Sequence, residues 1–221
     1  MNIYGIIMIF LSYLIGSIPV GYIIVRKKTG KDIRTFGSGV TGSTNVSRIC
    51  GRRWGIITAI ADFLKGFVPT ATAISILGMD LITGLVGVAA VIGHNYPVFI
   101  PPPRFKGGKG VATTAGFIAP VLLLVLFKYP YPWIYDMVIG ILLSWIAIMK
   151  WFKRMSAASI FLVSSLLVFF GLVVIFTRSS FSPYLFLEIT FTIGLVLWNH
   201  RENWRRLYRG KERIMESSWE K

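Results

Sequence analysis

Long apolar runs constrain the fold of this chain more than any other feature of its sequence. A run of roughly 18 or more residues with few charges is long enough to cross a bilayer as a helix. Several such runs lie within 221 residues, 54% of which are hydrophobic. A helix satisfies its own backbone hydrogen bonds, which lipid cannot do. The sequence therefore predicts an all-α, multi-pass membrane protein.

Seven transmembrane helices can be drawn, and together they make one predicted domain over residues 1–221. The first has no basic segment before it and no small-residue cleavage site, so we expect a retained helix rather than a signal peptide. No separate soluble domain or long linker is expected. The predicted spans are Ile3 to Val25, Gly55 to Leu77, Leu81 to Ile100, Val111 to Phe127, Trp133 to Met149, Ala157 to Phe176 and Pro183 to Asn199.

Basic residues indicate the orientation of these spans. All but three of the 24 Lys and Arg residues fall on one side, the exceptions being Lys65, Lys128 and Arg178. Positive charge is enriched in cytoplasmic loops. We therefore expect a protein of the inner membrane whose N-terminus lies outside and whose C-terminus lies in the cytoplasm. The net charge of +15 thus belongs to loops beside lipid, and no nucleic-acid partner is expected. The predicted cytoplasmic segments are 26–54, 101–110, 150–156 and the tail 200–221.

The first of these segments contains GSGVTGSTN, residues 37 to 45. The stretch fits a dinucleotide fingerprint, and it misses a P-loop only by having Ser43 where a lysine should stand. Both motifs need a preceding strand, whereas this stretch follows a membrane helix and a basic turn. What remains is a loop in which glycines and hydroxyl groups converge on an anion. Its candidate ligands are Ser38, Gly39, Thr44 and Asn45, with Arg48 following.

A second loop of similar character is FKGGKG, residues 105 to 110. Gly107, Gly108 and Gly110 are expected to expose backbone amides, while Lys106 and Lys109 add charge at the start of a helix. An ordinary basic turn would explain the lysines alone. Two glycine-rich basic loops on one membrane face favour a phosphate site instead.

The third candidate element is HRENWRRLYRG, at the exit of the last span. His200 and Asn203 are three residues apart, so they share one face of a helix and form a candidate catalytic pair. The arginines at positions 201, 205 and 209 form a different stripe, which we expect to meet lipid headgroups.

Two polar features lie within the predicted spans. Asp62 and Lys65 are one helical turn apart, and charges inside a membrane usually pair, so we expect a structural ion pair. His94 sits near the cytoplasmic end of its span. A structural role in orienting the FKGGKG turn is at least as well supported there as a catalytic one.

Absent patterns narrow the chemistry. The chain has no His-x-x-x-x-Asp dyad, and its nine acidic residues are scattered, so we expect no metal, no cofactor and no covalent intermediate on the protein. Cys50 is the single cysteine. Neighbouring arginines would lower the pKa of its thiol, yet no orienting histidine is near in sequence, so we expect no catalytic role.

Four motifs in chain order resemble a known family. They are S-G-x-x-G-x-T-N-x-x-R from Ser38, D-F-L-K-G from Asp62, G-H-x-x-P-V-F followed by F-K-G-G-K-G-V-A-T, and H-R-E-N-x-x-R-L-x-x-G-x-E from His200. Together they resemble the bacterial acyl-phosphate:glycerol-3-phosphate acyltransferases. The seven-span plan with an outside N-terminus is similar to that family too.

The resemblance implies a reaction, partners and site residues. Acyl phosphate would donate its acyl group to the sn-1 hydroxyl of glycerol 3-phosphate, giving lysophosphatidic acid and phosphate. The enzyme that makes acyl phosphate is a further implied partner. The implied catalytic residues are Ser38, Arg48, Lys109, His200 and Asn203. The implied substrate-binding residues are Gly39, Thr44, Asn45, Lys106, Gly107, Gly108 and Ser159.

Some residues depart from the family pattern and keep alternatives open. Val40 and Ser43 stand where the family usually has Asn and Ala, and IPPPR (100–104) intervenes before the second loop. We expect Val40 at the edge of the first loop's anion cradle. The competing hypotheses are a transporter or binding protein for an organic anion and a non-catalytic regulatory paralogue.

Overall fold

The computed structural model describes residues 3–101, 106–177 and 183–212, and within these ranges the regular elements are all helical. The all-α prediction is confirmed for these residues. Most of the IPPPR segment, Phe105 and the tail from residue 213 onward lie outside them. The helices are α1 (Ile3–Ser17), α2 (Val20–Thr29), α3 (Ser43–Cys50), α4 (Arg52–Leu77), α5 (Leu81–Asn95), α6 (Val111–Lys128), α7 (Pro132–Phe152), α8 (Met155–Thr177), α9 (Pro183–Asn199) and α10 (Arg201–Tyr208).

Five segments of the described chain are long and apolar enough to cross a membrane: α1 with α2, α4, α6, α7 and α8. The predicted span Pro183 to Asn199 coincides with a shorter apolar helix, α9 of 17 residues, and the span predicted as Leu81 to Ile100 ends earlier, at Asn95, as α5 of 15 residues. At about 1.5 Å per residue, α5 is roughly 22 Å long, against a hydrocarbon core of about 30 Å. A multi-pass membrane protein follows, while the count of seven spans and the outward N-terminus remain predictions.

The chain forms two compact units, and the boundary between them falls at Pro120, inside α6. In the first unit, α5 packs against α1 and α4, and α3 packs against α4. Glycine allows close approach of helices: a side chain at Gly16 would overlap the backbone of Ala90. A small apolar cluster of Val25, Ile33 and Val46 lies fully buried and anchors the segment that carries GSGVTGSTN.

The second unit contains α7 to α10. Within it α7 packs against α8, α8 against α9, and α10 follows α9 after a single residue. Phe169 and Phe170 are fully buried and contact each other edge to face, with ring centroids 5.2 Å apart. Large apolar side chains such as Leu143 and Leu187 are exposed on the outer faces, as expected of helices whose surroundings are lipid.

A buried charge cluster joins α4 to α5. Lys65 Nζ donates to Asp62 Oδ1 at 2.7 Å, and His94 Nδ1 lies 3.5 Å from the same oxygen. All three side chains are buried. The ion pair predicted from the one-turn spacing is therefore confirmed, and a histidine from the neighbouring helix lies beside it.

Asp62→Asn is expected to reduce the yield of folded protein before it changes the chemistry. The substitution leaves Lys65 buried without a counter-charge, and breaking a buried pair on one side typically costs about 3–5 kcal/mol. The measurement is thermal unfolding in detergent micelles. Asp136→Asn, which neutralises an exposed carboxylate, is the control. A stably folded Asp62→Asn protein without activity would instead assign Asp62 a catalytic role.

Candidate active site

The side chain of Asn45 forms hydrogen bonds to the backbone of the GSGVTGSTN loop and fixes its conformation. The Asn45 side chain is buried, and its Nδ2 lies 3.1 Å from the carbonyl oxygen of Phe36 and 3.0 Å from that of Val40. Its Oδ1 accepts from the Ser38 amide at 3.2 Å. Gly37 has a φ of +56°, a conformation that favours glycine, and a side chain there would overlap the Asn45 carboxamide. The loop is thus shaped around one buried amide group.

A polar cavity of about 220 Å³ opens beside this loop. Its lining residues include Ser38 and Lys106, whose hydroxyl and ammonium groups are donors suited to a phosphate group. Its lining residues are Arg34, Thr35, Phe36, Gly37, Ser38, Gly39 and Lys106.

Arg34 is a cavity residue that the sequence interpretation did not single out. Its Nε lies 3.0 Å from both carboxylate oxygens of Asp32, and its Nη1 donates to the carbonyl oxygen of Pro101 at 2.7 Å. The hydrogen bond from Arg34 holds the pKa of Asp32 below its ordinary value, against the effect of burial. The pair therefore contributes stability at neutral pH that is lost only as the pH falls through this lowered pKa. The Asp-x-Arg spacing before the loop was the available signal.

Several backbone amides of the two loops donate to partners within the protein. Gly107 N–H donates to the Asn95 carbonyl at 3.0 Å, Gly108 N–H to the His94 carbonyl at 3.2 Å, and Gly39 N–H to the Phe36 carbonyl at 2.9 Å. The expectation that Gly107 and Gly108 expose amides to an anion is therefore wrong. The last carbonyls of a helix lack partners within the helix, and these two glycines supply partners for α5.

Close packing gives a second reason for glycine in this turn. A side chain at Gly108 would overlap the His94 imidazole, and one at Gly107 would overlap the His94 carbonyl. The turn therefore sits directly on His94, in agreement with the structural role considered for that residue. The Thr41 amide also donates to the Gly107 carbonyl at 3.3 Å, which joins the two glycine-rich loops.

Gly108→Ala is expected to lower activity at least about tenfold by displacing the turn that carries Lys106 and Lys109. Forcing a methyl group into a packed position typically costs about 1–3 kcal/mol, and here the obstacle is the His94 ring. Activity and thermal stability are measured together. Gly140→Ala is the control because an added methyl group there meets no atom within 4 Å. Unchanged activity in Gly108→Ala would show that the packing of this turn against His94 is not needed for activity.

The second unit carries the His200 motif. His200 is buried, and its Nδ1 lies 2.8 Å from the carbonyl oxygen of Val196. A carbonyl oxygen can only accept, so the proton lies on Nδ1 and the neutral ring has its lone pair on Nε2. Asn203 is also buried, and its Nδ2 donates to Glu212 Oε1 at 2.7 Å. Ser159 lies buried on α8.

The remaining predicted residues have varied positions. Thr44 lies in the first turn of α3 and Arg48 in its last turn, and both, like Lys109, are half-buried. They are not among the residues lining the cavity described above. Val40, expected at the edge of the cradle, is buried, with 9% of the residue exposed, and is not among the residues lining the cavity. Burial raises the pKa of the Cys50 thiol, with Lys28 acting in the opposite direction, so the expected lowering by arginines is wrong.

Comparisons with known proteins agree over nearly the whole chain. Residues 6–210 match the family model described as glycerol-3-phosphate acyltransferase. The glycerol-3-phosphate acyltransferase of Aquifex aeolicus is 37% identical, with 94% of this chain and 97% of the relative covered. That of Lawsonia intracellularis is 36% identical, with 98% of each covered.

Two solved structures are similar in fold and in sequence. Both are of PlsY (YgiH), an integral membrane glycerol 3-phosphate acyltransferase. Its glycerol 3-phosphate form superposes with a TM-score of 0.81 at 32% identity, covering 97% of this chain and 96% of the other. Its lysophosphatidic acid form gives 0.77 at 32% identity, covering 96% and 95%. The present chain belongs to the glycerol-3-phosphate acyltransferase family.

Proposed function

We propose that this protein transfers an acyl group from acyl phosphate to the sn-1 hydroxyl of glycerol 3-phosphate, forming lysophosphatidic acid and inorganic phosphate. The observation that carries the proposal is the polar cavity with Arg34, Ser38 and Lys106 in its lining, in a chain of this family. A solved relative is described in a glycerol 3-phosphate form and in a lysophosphatidic acid form. These two molecules are the acceptor and the product of the proposed reaction.

The choice of acyl phosphate as donor rests on charge and on leaving-group chemistry. Acceptor and donor would each carry a phosphate group, and cations lie on the second glycine-rich loop and next to the first (Arg48 in α3), which suits two anions. Phosphate is also a good leaving group, so the reaction needs mainly alignment and stabilisation of developing charge. The motifs from Ser38 and His200 resemble those of the acyl-phosphate-dependent enzymes, which supports the same donor.

In the proposed step, the glycerol hydroxyl oxygen attacks the acyl carbon and the bond from that carbon to the phosphate oxygen breaks. The hydroxyl proton passes either to His200 Nε2 or to a substrate phosphate oxygen. Ser38, Arg48 and Lys109 stabilise the charge that develops on the acyl oxygen and the departing phosphate. The oxygen nucleophile is the substrate's own, so no acyl-enzyme forms.

We assign three kinds of role to the predicted binding residues. Lys106 binds phosphate at the cavity, while Arg34, which bonds to Asp32 and to the Pro101 carbonyl, holds the cavity wall in place. Asn45, Gly107 and Gly108 shape the loops, since their polar groups bond within the protein. Thr44 and Ser159 keep the substrate-binding role that the family motif implies.

We also propose that catalysis takes place at the cytoplasmic face of the inner membrane, through seven spans with the N-terminus outside. The distribution of Lys and Arg supports this orientation. Glycerol 3-phosphate is charged and would reach a basic cavity from the aqueous side. Acyl phosphate is amphiphilic, and the enzyme that makes it is the natural partner at that surface.

The decisive experiment uses the purified protein in liposomes with labelled glycerol 3-phosphate. We expect lysophosphatidic acid with acyl phosphate, none with acyl-CoA or acyl carrier protein, and no loss of activity in a chelator. Mass spectrometry should find no acylated protein. Product formation from acyl-CoA alone would overturn the assignment of acyl phosphate as the acyl donor. Accumulation of label inside the liposomes without product would favour a transporter, and the absence of both would favour a regulatory paralogue.

A further inference from the structure

The turn between α7 and α8 carries an arginine that the proposed mechanism does not use. The turn consists of Lys153 and Arg154, and Lys153 has a φ of +48°, a left-handed conformation that few residues other than glycine adopt. The Arg154 carbonyl accepts from the amides of Ala157 and Ala158 at 3.1 and 3.3 Å. The backbone of Arg154 is therefore fixed directly before the first turn of α8, which contains Ser156.

The Arg154 side chain is partly buried in surroundings that do not favour a cation. Arg154 is half-buried, and its Nε is buried without a hydrogen-bond partner among the described residues. Glu212 accepts from the nearby Ser156 hydroxyl, yet its carboxylate pairs with Arg206. The dipole of α8 also opposes a cation at its N-terminal end. Since a buried polar group without a partner is costly, packing alone does not account for an arginine here.

A second donor of this kind lies at the same end of the second unit. Asn199 ends α9, and its Nδ2 is buried and has no hydrogen-bond partner in the described part of the chain. Asn203 on α10 and Ser156 on α8 donate to the same carboxylate, that of Glu212, which joins the start of α8 to the segment after α9. Arg154 Nε and Asn199 Nδ2 are both N–H donors, so a ligand that satisfies them must be an acceptor.

We infer that Arg154 and Asn199 bind a phosphate group of a substrate. Ionised phosphate oxygens accept hydrogen bonds, and the planar guanidinium group can donate to two of them at once. Ser159, to which the family motif assigns substrate binding, lies buried in the second turn of the same helix. The inference rests on the proposed function and adds two ligands to its site. Acyl phosphate and glycerol 3-phosphate both carry this group, and kinetics distinguish them.

Arg154→Met tests the assignment, because methionine retains an apolar stem and removes the guanidinium group. We expect KM for one of the two substrates to rise about tenfold or more, with a smaller change in kcat, as when a charge-assisted binding contact is lost. The substrate whose KM rises is the one whose phosphate Arg154 binds. Thermal unfolding should be unchanged or shifted to higher temperature, because a buried donor without a protein partner is removed. Lys150→Met, which removes an exposed cation in the same unit, is the control and should behave as wild type.

Asn199→Leu should raise the KM for the same substrate and leave the other KM unchanged. All variants are assayed in liposomes of neutral lipid and in liposomes that contain phosphatidylglycerol. An effect confined to the anionic liposomes would assign Arg154 to lipid headgroups and overturn the inference, as would unchanged KM values in Arg154→Met. Loss of folded protein in Arg154→Met would assign the residue a structural role, which also overturns it.

Failure of the proposed function gives a different result, since the wild-type protein would then make no lysophosphatidic acid. The phosphate contact is tested even in that case, by calorimetric titration of the wild-type protein and Arg154→Met with glycerol 3-phosphate and with a non-hydrolysable acyl phosphate analogue. Equal affinities of the two proteins for both molecules would overturn the inference.

Discussion

Ser38→Ala is expected to lower kcat by about a hundredfold to a thousandfold, which is the typical effect of removing one donor to a developing oxyanion. Ser38 lines the cavity with Arg34 and Lys106. The Ser38 amide donates to Asn45 Oδ1, and the Gly39 amide donates to the Phe36 carbonyl. The backbone of the loop should therefore keep its conformation when the hydroxyl group is removed. The loss should therefore appear in kcat and not in thermal stability.

The control is Ser43→Ala, the same substitution at the start of α3. Alanine is the residue that the family usually has there, so nearly normal kinetics are expected. Both variants are assayed with acyl phosphate while glycerol 3-phosphate is varied. Full activity in Ser38→Ala would show that the Ser38 hydroxyl takes no part in catalysis and that the loop acts only as a hinge.

Lys109→Met is expected to lower kcat/KM by roughly a hundredfold or more, and Arg48→Met by a similar factor. Each substitution removes a cation assigned to substrate phosphate or developing charge, and a charge-assisted hydrogen bond is about twice as strong as a neutral one. Methionine retains much of the apolar stem, so packing changes less than charge does. Steady-state kinetics with both substrates varied give the magnitude.

Lys128→Met serves as the control, because it removes the same charge from an exposed residue at the other end of α6. Lys106→Met is informative alongside it. Lys106 is exposed and lines the cavity, so its loss should act mainly through KM for glycerol 3-phosphate. Near-normal kinetics in both Lys109→Met and Arg48→Met would remove these cations from the proposed site.

Regular local patterns predicted part of this molecule correctly. Apolar runs gave the helices of a multi-pass membrane protein, because a span in lipid must satisfy its backbone bonds within itself. The spacing of Asp62 and Lys65 predicted their ion pair, since residues three apart are neighbours on a helix. The motif order also led to the correct family. The apolar runs, the ion-pair spacing and each single motif use residues that are close together in the chain.

Tertiary packing decided the hydrogen-bond partner of each polar group. The amides of Gly107 and Gly108 looked suited to an anion, yet they bond to the end of α5, because a buried helix end needs partners wherever the fold brings them. Asn45 turned inward for the same reason, and the Asn203–Glu212 contact needed the turn at Gly210. Composition and periodicity report which groups are present and which face they share. The partner of each group depends on contacts between distant segments, and these exist only once the chain has folded.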